Sequence, residues 1–320
     1  MHKRCYFSII TPSYNRAHLL KGAFDSLQEQ NFTDFQWIIV DDGSTDDTAK
    51  VVDCFVKKAK FEIIYRKIKH GGKHFAVRAA YQIAAGEYAF ELDSDDSLYD
   101  KNTLNNLWKL TKSVPDYPCI GGCFIDQHDG VFPKIDGEYI DYNCEQYLNV
   151  FCSPNGMEAL NIAWLMKMDY ARSILPPEIH DNLSYFPEAV INIRRVLSWS
   201  DFHVRIFNQA WYRYNMFNAD SVSVNTYTTN AMWYYAKSLL ETFYEYDLLN
   251  KYKDFCYRLV KMLFNHTPGN KSLFDNYKIL CHIHKTNWFM CVFVKHVFKQ
   301  IFSVNHAHIT IIGIHVKRGK

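Results

Sequence analysis

Residues 88–96 read YAFELDSDD and join an apolar run to three carboxylates. Tyr88–Leu92 has the composition of a buried strand, and Asp93, Asp95 and Asp96 follow it directly. One aspartate at the end of a strand is ordinary turn chemistry. Three carboxylates within four residues, beside a buried strand, repel one another and lose hydration. The stretch therefore predicts a strand that ends at a functional site.

Three similar strands precede this one, and amphipathic helical patterns separate them. Strand and helix signals of this length, in alternation, predict an α/β fold with a mainly parallel sheet and helices on both faces. The earlier strand segments are Tyr6–Ile10, Trp37–Val40 and Phe61–Tyr65. Because parallel strands end at a common edge, Asp41 and Asp42 after the second strand should meet residues 93–96 there.

Such a concentration of carboxylates at one edge predicts a bound cation. Hard oxygen ligands favour Mg²⁺ or Mn²⁺. A site with few protein ligands suits a metal that also binds the phosphates of a substrate.

The later sequence is less regular and then becomes helical. We expect an α/β catalytic domain over residues 1–225 and a helical, basic C-terminal region over residues 226–320. Short strands are expected within 115–155, helices over 157–172 and 186–198, and a strand at Ala210–Phe217.

Charge is distributed unevenly along the chain. The net charge of +2 gives no sign of nucleic-acid binding, but residues 276–320 contain seven Lys or Arg and no Asp or Glu. Within them, Trp288–Val294 is continuously apolar and has lysines after it, a pattern typical of a helix lying on an anionic membrane surface. The open alternative is an aromatic helix packed on the α/β domain, with a terminal strand Ile309–Ile314 joining a sheet.

The same sequence gives expectations about the compartment. It shows neither a signal peptide nor a run of ~18 apolar residues. Nine cysteines without metal-site spacing are expected to be free thiols. We therefore expect a cytoplasmic protein, or one peripheral on the inner face of the plasma membrane.

Four segments in register resemble the family-2 glycosyltransferases of the GT-A fold. They are IITPSYNR at 9–16, VDDGSTD at 40–46, GGKH at 71–74, and AGEY at 85–88 leading to LDSDD at 92–96. Their order and spacing agree over about residues 5–100. The resemblance implies a nucleotide-sugar donor and a Mg²⁺ or Mn²⁺ cofactor.

The resemblance also assigns roles to individual residues. Asp42 should accept a hydrogen bond from a ring N–H of the base, and Asp93 should lie near the ribose. Asp95, supported by Asp96, should hold the metal that bridges the donor diphosphate. The full nucleotide-binding set implied is Pro12, Ser13, Tyr14, Asp41, Asp42, Lys73, Asp93 and Ser94.

The catalytic base is expected in the second half of the domain. Relatives place an acidic residue at a helix start about ninety residues after the aspartate motif, which in this chain is Asp93–Asp96. Glu188 lies 93 residues beyond Asp95. Glu188 would take the proton of the acceptor hydroxyl during an inverting displacement. Asp181 is the second choice for this role.

The sequence departs from the family pattern at two places. Arg78 stands where the family usually has Asn, and Val77 where it has Arg, so a diphosphate contact from Arg78 is in doubt. Glu91 is a charge inside a predicted buried strand, which requires either a partner cation or an edge position.

The function implied is transfer of a sugar, favouring UDP-sugars, to a glycan or lipid-linked acceptor in surface polysaccharide biosynthesis. A nucleotidyltransferase and a non-catalytic nucleotide-sugar-binding protein remain as alternatives. A nucleotidyltransferase usually carries an early glycine-rich loop, whereas the first loop here reads TPSYNR at 11–16. Loss of the aspartate motif would favour a non-catalytic binding protein, but the motif is intact. A processive synthase would need membrane spans.

Overall fold

The computed structural model describes residues 4–154, 156, 160, 162–173, 188–199, 201–215, 229–266, 276 and 279. The chain divides into two compact units, Met1–Tyr227 and Thr228–Lys320. The domain boundary proposed at residue 225 lies outside the described residues and stays a prediction.

The first unit begins with a parallel α/β half. Strand β1 pairs in parallel with β2 and with β4, and β2 pairs in parallel with β3, which gives the order β3-β2-β1-β4. This confirms the alternation predicted from the sequence. The elements are β1 Cys5–Ser13, α1 Leu20–Gln28, β2 Phe35–Asp41, α2 Thr48–Lys58, β3 Glu62–Lys67, α3 Lys73–Ile83 and β4 Gly86–Glu91.

The central strands are apolar because helices cover them on both faces. Every residue of β2 is buried, and so is every residue of β1 after Cys5. Helix α1 buries positions at helical spacing against them, and Phe24 stacks on Phe55 of α2 with ring centroids 4.2 Å apart. Continuous apolar strands of this kind are characteristic of parallel sheets buried on both sides.

The second half of the unit extends the same sheet in a mixed arrangement. The order continues β4-β9-β6-β10-β5, with β9 antiparallel to both of its neighbours and β6 parallel to β10. Strands β7 and β8 pair with β6 and β10. The elements are β5 Ser97–Leu98, α4 Thr103–Ser113, β6 Cys119–Ile125, β7 Val131–Phe132, β8 Tyr139–Asn143, α5 Cys144–Phe151, β9 Ala163–Lys167, α6 Met168–Ser173, α7 Glu188–Leu197 and β10 His203–Arg213.

Two of the sequence expectations fail in this half. The helix predicted over 157–172 is wrong at Ala163–Lys167, which form β9 between β4 and β6. Helix α6 lies at the end of the predicted range. A short apolar run does not distinguish a buried strand from a buried helix, and here sheet pairing decides the outcome. The strand expected from Ala210 begins seven residues earlier, at His203.

The described part of the second unit is helical, as expected. Helix α8 spans Thr229–Glu245 and α9 spans Lys253–Asn265. They pack through aromatic contacts such as Phe243 against Phe255, with ring centroids 5.3 Å apart. Among the described helices of both units, none combines the length and the apolar character needed to cross a membrane.

Candidate active site

Three loops meet at the carboxyl-terminal edge of the parallel strands. In the register of the sheet, Ser13 at the end of β1 is level with Asp41 at the end of β2. The Asp42 amide donates to the Ser13 carbonyl at 2.8 Å, and the Leu92 amide donates to the Ile10 carbonyl at 2.9 Å. The loops that follow β1, β2 and β4 therefore converge, as predicted from the sequence.

Asp41 shapes the loop after β2. Its side chain is fully buried, and Oδ1 accepts a hydrogen bond from the Ser44 amide at 2.7 Å. Oδ2 accepts one from the Tyr65 hydroxyl on β3 at 2.5 Å. Both oxygens are thus engaged within the protein, and a direct contact of Asp41 with the nucleotide stays a prediction.

Asp42 binds the backbone of the loop before α3. Its Oδ1 accepts from the Gly71 amide at 2.8 Å, and its Oδ2 accepts from the Gly72 amide at 2.7 Å. Gly72 has φ +111°, a conformation that side-chain-bearing residues rarely adopt. The two glycines of the GGKH segment therefore allow consecutive amides to reach one carboxylate.

An aromatic pair lies beside this carboxylate. The ring of Tyr14, which is 42% exposed, stacks on the imidazole of His70 with centroids 4.1 Å apart and an interplanar angle of 18°. His70 Nδ1 lies 2.9 Å from Asp42 Oδ2. Tyr14 and Asp42, both predicted nucleotide contacts, are thus brought together, and His70 lies against both.

Lys73 and Asp93 form an ion pair across the edge. Their Nζ and Oδ2 atoms are 2.8 Å apart, and both side chains are accessible to solvent. Lys73 is the first residue of α3, and helix N-termini bind anionic groups through free amides and the helix dipole. This position suits a phosphate-binding lysine.

The aspartate motif faces a second cation. Arg16, in the loop after β1, places Nη1 2.8 Å from Asp95 Oδ2, and both side chains are largely buried. The same nitrogen lies 3.5 Å from Ser94 Oγ. Arg16 lies within the resembling segment, but its residue type alone did not indicate an aspartate partner 79 residues away.

Asp96 is the most buried of the three carboxylates. It is 4% exposed, and its Oδ1 accepts from the Asn215 amide at 3.1 Å. Burial, with the neighbouring carboxylates of Asp93 and Asp95, holds the pKa of Asp96 well above its usual range. Burial also raises the pKa of Asp95, where Arg16 opposes the rise and Asp93 adds to it.

The donor set fits a divalent cation that is shared with a substrate. Asp95, the predicted metal ligand, offers hard carboxylate oxygens, and the carboxylates of Asp96 and Asp93 lie near it. Among the described residues, no group of three or more candidate side chains is arranged to hold a metal by itself. Mg²⁺ is commonly bound by one or two carboxylates together with substrate phosphates, so the residues present match that mode of binding.

The remaining predicted nucleotide contacts lie at the ends of β1 and β4. Pro12 and Ser13 are buried at the end of β1, and Ser94 is 2% exposed. Within the described structure, Ser13 Oγ finds no hydrogen-bond partner. A buried hydroxyl without a partner is unfavourable by about 1–3 kcal/mol, which suits an atom that pairs with a ligand.

A buried ion pair connects α7 to β4, the strand that precedes the aspartate motif. Arg195 Nη2 lies 2.5 Å from Glu91 Oε1, and the Tyr81 hydroxyl donates to the same oxygen. Of the two explanations left open for Glu91, the partner cation is therefore correct. Arg195 is 2% exposed, and its carbonyl accepts from the Tyr170 hydroxyl at 2.7 Å.

Glu188 is the first residue of α7, and the position of its side chain is not described. Asp181 lies outside the described residues. Their proposed roles therefore stay predictions. Residues seven apart lie on one side of a helix, so position 188 shares a side with Arg195, about 10 Å along the axis.

The sequence of this region also matches known proteins. Residues 8–167 match the sequence profile of the family described as Glycosyl transferase family 2. The chain belongs to this family. One relative, a PGL/p-HBAD biosynthesis glycosyltransferase of Mycobacterium bovis, is 35% identical over 98 residues. That match covers 31% of this chain and only 38% of the relative.

Solved structures support the fold over a longer stretch. Residues 1–349 of TarS from Staphylococcus aureus, in complex with UDP-GlcNAc, superpose with a TM-score of 0.59 at 18% identity, covering 83% of this chain and 74% of that one. The mannosyltransferase PcManGT from Pyrobaculum calidifontis, in complex with GDP-Man and Mn²⁺, gives 0.50 at 15% identity, covering 94% and 88%. This chain therefore has the GT-A fold.

Proposed function

We propose that this chain transfers a sugar from a nucleotide-diphosphate sugar to a hydroxyl of a glycan or lipid-linked acceptor. The observation that carries the proposal is the convergence of the three loops. It brings together Tyr14 and Asp42, which we assign to the base, Lys73, which we assign to a phosphate, and the pair Asp93 and Asp95. We assign Asp93 to the ribose and Asp95, supported by Asp96, to the metal. These are the chemical groups that such a donor requires, arranged along one edge of the sheet.

The donor class is supported from two sides. An aspartate carboxylate suits a base that donates a ring N–H, as uracil does, and we favour UDP-sugars for this reason. The structural neighbours bind UDP-GlcNAc in one case and GDP-Man in the other. The relative named as a PGL/p-HBAD biosynthesis glycosyltransferase supports the reaction class, and we propose surface polysaccharide biosynthesis as the role of this chain.

The mechanism we propose is a single displacement with inversion at the anomeric carbon. The acceptor oxygen forms the new bond as the bond to the diphosphate breaks, and the hydroxyl proton passes to the Glu188 carboxylate. Lys73 lies beside Asp93 and Arg16 beside Asp95, and we assign both cations to the negative charge of the departing diphosphate. When bound, Mg²⁺ or Mn²⁺ supplies Lewis-acid neutralisation of that leaving group.

The lipid-linked acceptor and the membrane contact are proposed from the sequence of the basic C-terminal segment. The basic segment at 276–320 has only Asn276 and Ile279 among the described residues. A lipid-linked acceptor would make contact with an anionic membrane useful, because it would place the enzyme on the surface where its substrate lies.

Hydrolysis and binding of UDP-, GDP- and dTDP-sugars, with and without Mn²⁺, test the proposal. We expect one nucleotide class to bind with strong metal dependence. In Asp95→Asn, affinity for the nucleoside diphosphate in Mn²⁺ should fall about tenfold or more, equivalent to ~1.4 kcal/mol. The surface variant Asp25→Asn is the matched control, since Asp25 is exposed on α1 and pairs there with Lys21. Equal affinity with and without metal in every variant would refute the metal site.

A further inference from the structure

His70 occupies a surface that we call the base seat, formed by the ring face of Tyr14 and the carboxylate of Asp42. The imidazole stacks on Tyr14 at 4.1 Å, and its Nδ1 lies 2.9 Å from Asp42 Oδ2. The same nitrogen lies 3.0 Å from the Asp42 carbonyl oxygen. Both oxygens are acceptors, so Nδ1 must carry the hydrogen in this arrangement.

These two contacts are the ones expected of a nucleobase in the proposed function. The imidazole supplies a flat ring over Tyr14 and donates a ring N–H to Asp42. Rings 4.1 Å apart are in direct contact, so no third ring fits between Tyr14 and His70. A base that stacks on this face of Tyr14 must therefore displace the imidazole.

We propose that His70 is a determinant of donor binding: it holds the base seat in the donor-free protein, and the entering base must replace both of its contacts. This inference rests on the proposed function, because it takes a nucleotide as the ligand of the seat. No motif in the sequence singled out His70, which precedes the two glycines of the GGKH segment.

The backbone around His70 is fixed, whereas its side chain has room to leave. The amides of Gly71 and Gly72 bind Asp42. Gly43 packs closely on the His70 backbone, since a Cβ at Gly43 would lie 2.9 Å from the backbone nitrogen of His70. The His70 side chain, however, is 46% exposed. Displacement therefore requires a rotation of one side chain and leaves the loop in place.

The exchange also selects among bases. Asp42 loses a ring N–H when His70 leaves, so an entering base must supply one to compensate. Uracil, thymine and guanine carry a ring N–H on the pairing edge, whereas cytosine and adenine do not. UDP and GDP should therefore displace His70 more readily than CDP and ADP.

Calorimetric titration of the full chain with UDP and with CDP tests the proposal. Removing an internal competitor raises the fraction of binding-competent protein and so the apparent affinity. We expect His70→Ala to bind UDP about threefold to tenfold more tightly. His70→Phe, which keeps a ring over Tyr14 but lacks the N–H, should give a smaller gain. Lys69→Ala, an exposed neighbour, should match the wild type.

Proton NMR of the His70 ring provides a second measurement. In the donor-free protein its signals should be shifted by the ring current of Tyr14, and the shift should vanish in Tyr14→Leu. Addition of UDP to the wild type should move the signals to solvent-like positions. A ring that stays stacked when UDP is bound, or equal or weaker UDP binding by His70→Ala, would overturn this proposal alone. Failure of UDP and GDP to bind any variant would overturn the proposed function with it.

Discussion

Arg16 Nη1 lies 2.8 Å from Asp95 Oδ2, so a guanidinium of the chain itself holds the carboxylate predicted to bind a metal. A charge-assisted hydrogen bond of this kind, largely shielded from water, is stronger than one in solvent. A metal ion that uses this oxygen must therefore compete with Arg16.

Arg16→Gln should consequently strengthen metal binding in the absence of nucleotide. The variant removes the competing charge and keeps a side chain of similar reach. We expect the affinity for Mn²⁺ alone to rise about tenfold, which corresponds to ~1.4 kcal/mol. Electron paramagnetic resonance of free Mn²⁺ measures it. Arg66→Gln, at an exposed position of β3, is the control. Unchanged or weaker Mn²⁺ binding in Arg16→Gln would show that the pair does not oppose the metal.

The sequence predicted the parallel half of the sheet because its signals are local. Each strand from β1 to β4 is a short apolar run followed by polar turn residues, and each helix between them repeats its apolar positions. The β9 segment was mistaken for helix because only its pairing with β4 and β6 makes it a strand. Where tertiary contacts decide, a window of sequence carries too little information.

The same division applies to the candidate site. The positions of Asp42, Asp93 and Asp95 at one edge follow from strand ends and could be predicted. The partners of these carboxylates could not be predicted, because His70 and Arg16 are far from them in sequence and approach them only in the folded chain. Glu91 shows this most clearly, since its cation Arg195 lies 104 residues further along the chain.

Glu188→Gln should separate chemistry from binding. The amide is nearly the same size as the carboxylate but is a poor proton acceptor, and loss of a positioned general base lowers rates by ~10²–10⁴-fold. The affinity for UDP should stay within about twofold, because the base is assigned to the acceptor side. Single-turnover transfer rates and calorimetry with UDP measure the two effects.

Glu87→Gln provides the matched control for this experiment. Glu87 is an exposed residue of β4, away from the aspartate motif, and its variant should transfer sugar at the wild-type rate. If Glu188→Gln also retains normal turnover, the base is another carboxylate, and Asp181→Asn is the next variant to measure.

The C-terminal segment should bind anionic membranes reversibly. Each basic residue near an anionic surface adds ~1 kcal/mol of attraction, which salt screens. We expect flotation of the purified protein with anionic vesicles at low salt, loss of flotation at high salt, and none with neutral vesicles. A chain lacking residues 285–320 should fold and stay unbound. An unfolded truncation, with no vesicle binding by the full chain, would make the segment structural.

Breaking the buried pair between Arg195 and Glu91 should destabilise the first unit. Removing one partner leaves an uncompensated buried charge, which lowers the free energy of unfolding by ~3–5 kcal/mol. Arg195→Ala should show this in urea denaturation. Arg213→Ala is the control, because its pair with Asp129 is exposed and such pairs contribute about 0–1 kcal/mol.

Replacing the whole cluster distinguishes stability from positioning. Glu91→Met, Arg195→Met and Tyr81→Phe together remove both charges and the hydroxyl that donates to Glu91, so neither charge is left without its partner. The half-buried Asn192 Oδ1 loses its hydrogen bond from Arg195 Nη1. Apolar replacement of a complete buried pair is often neutral or stabilising. We therefore expect the triple variant to unfold near the wild-type urea concentration.

If α7 carries the catalytic base, the transfer rate of the triple variant should still fall, because the ion pair that fixes α7 against β4 is gone. Wild-type stability together with wild-type turnover would show that the pair does not position α7 for catalysis.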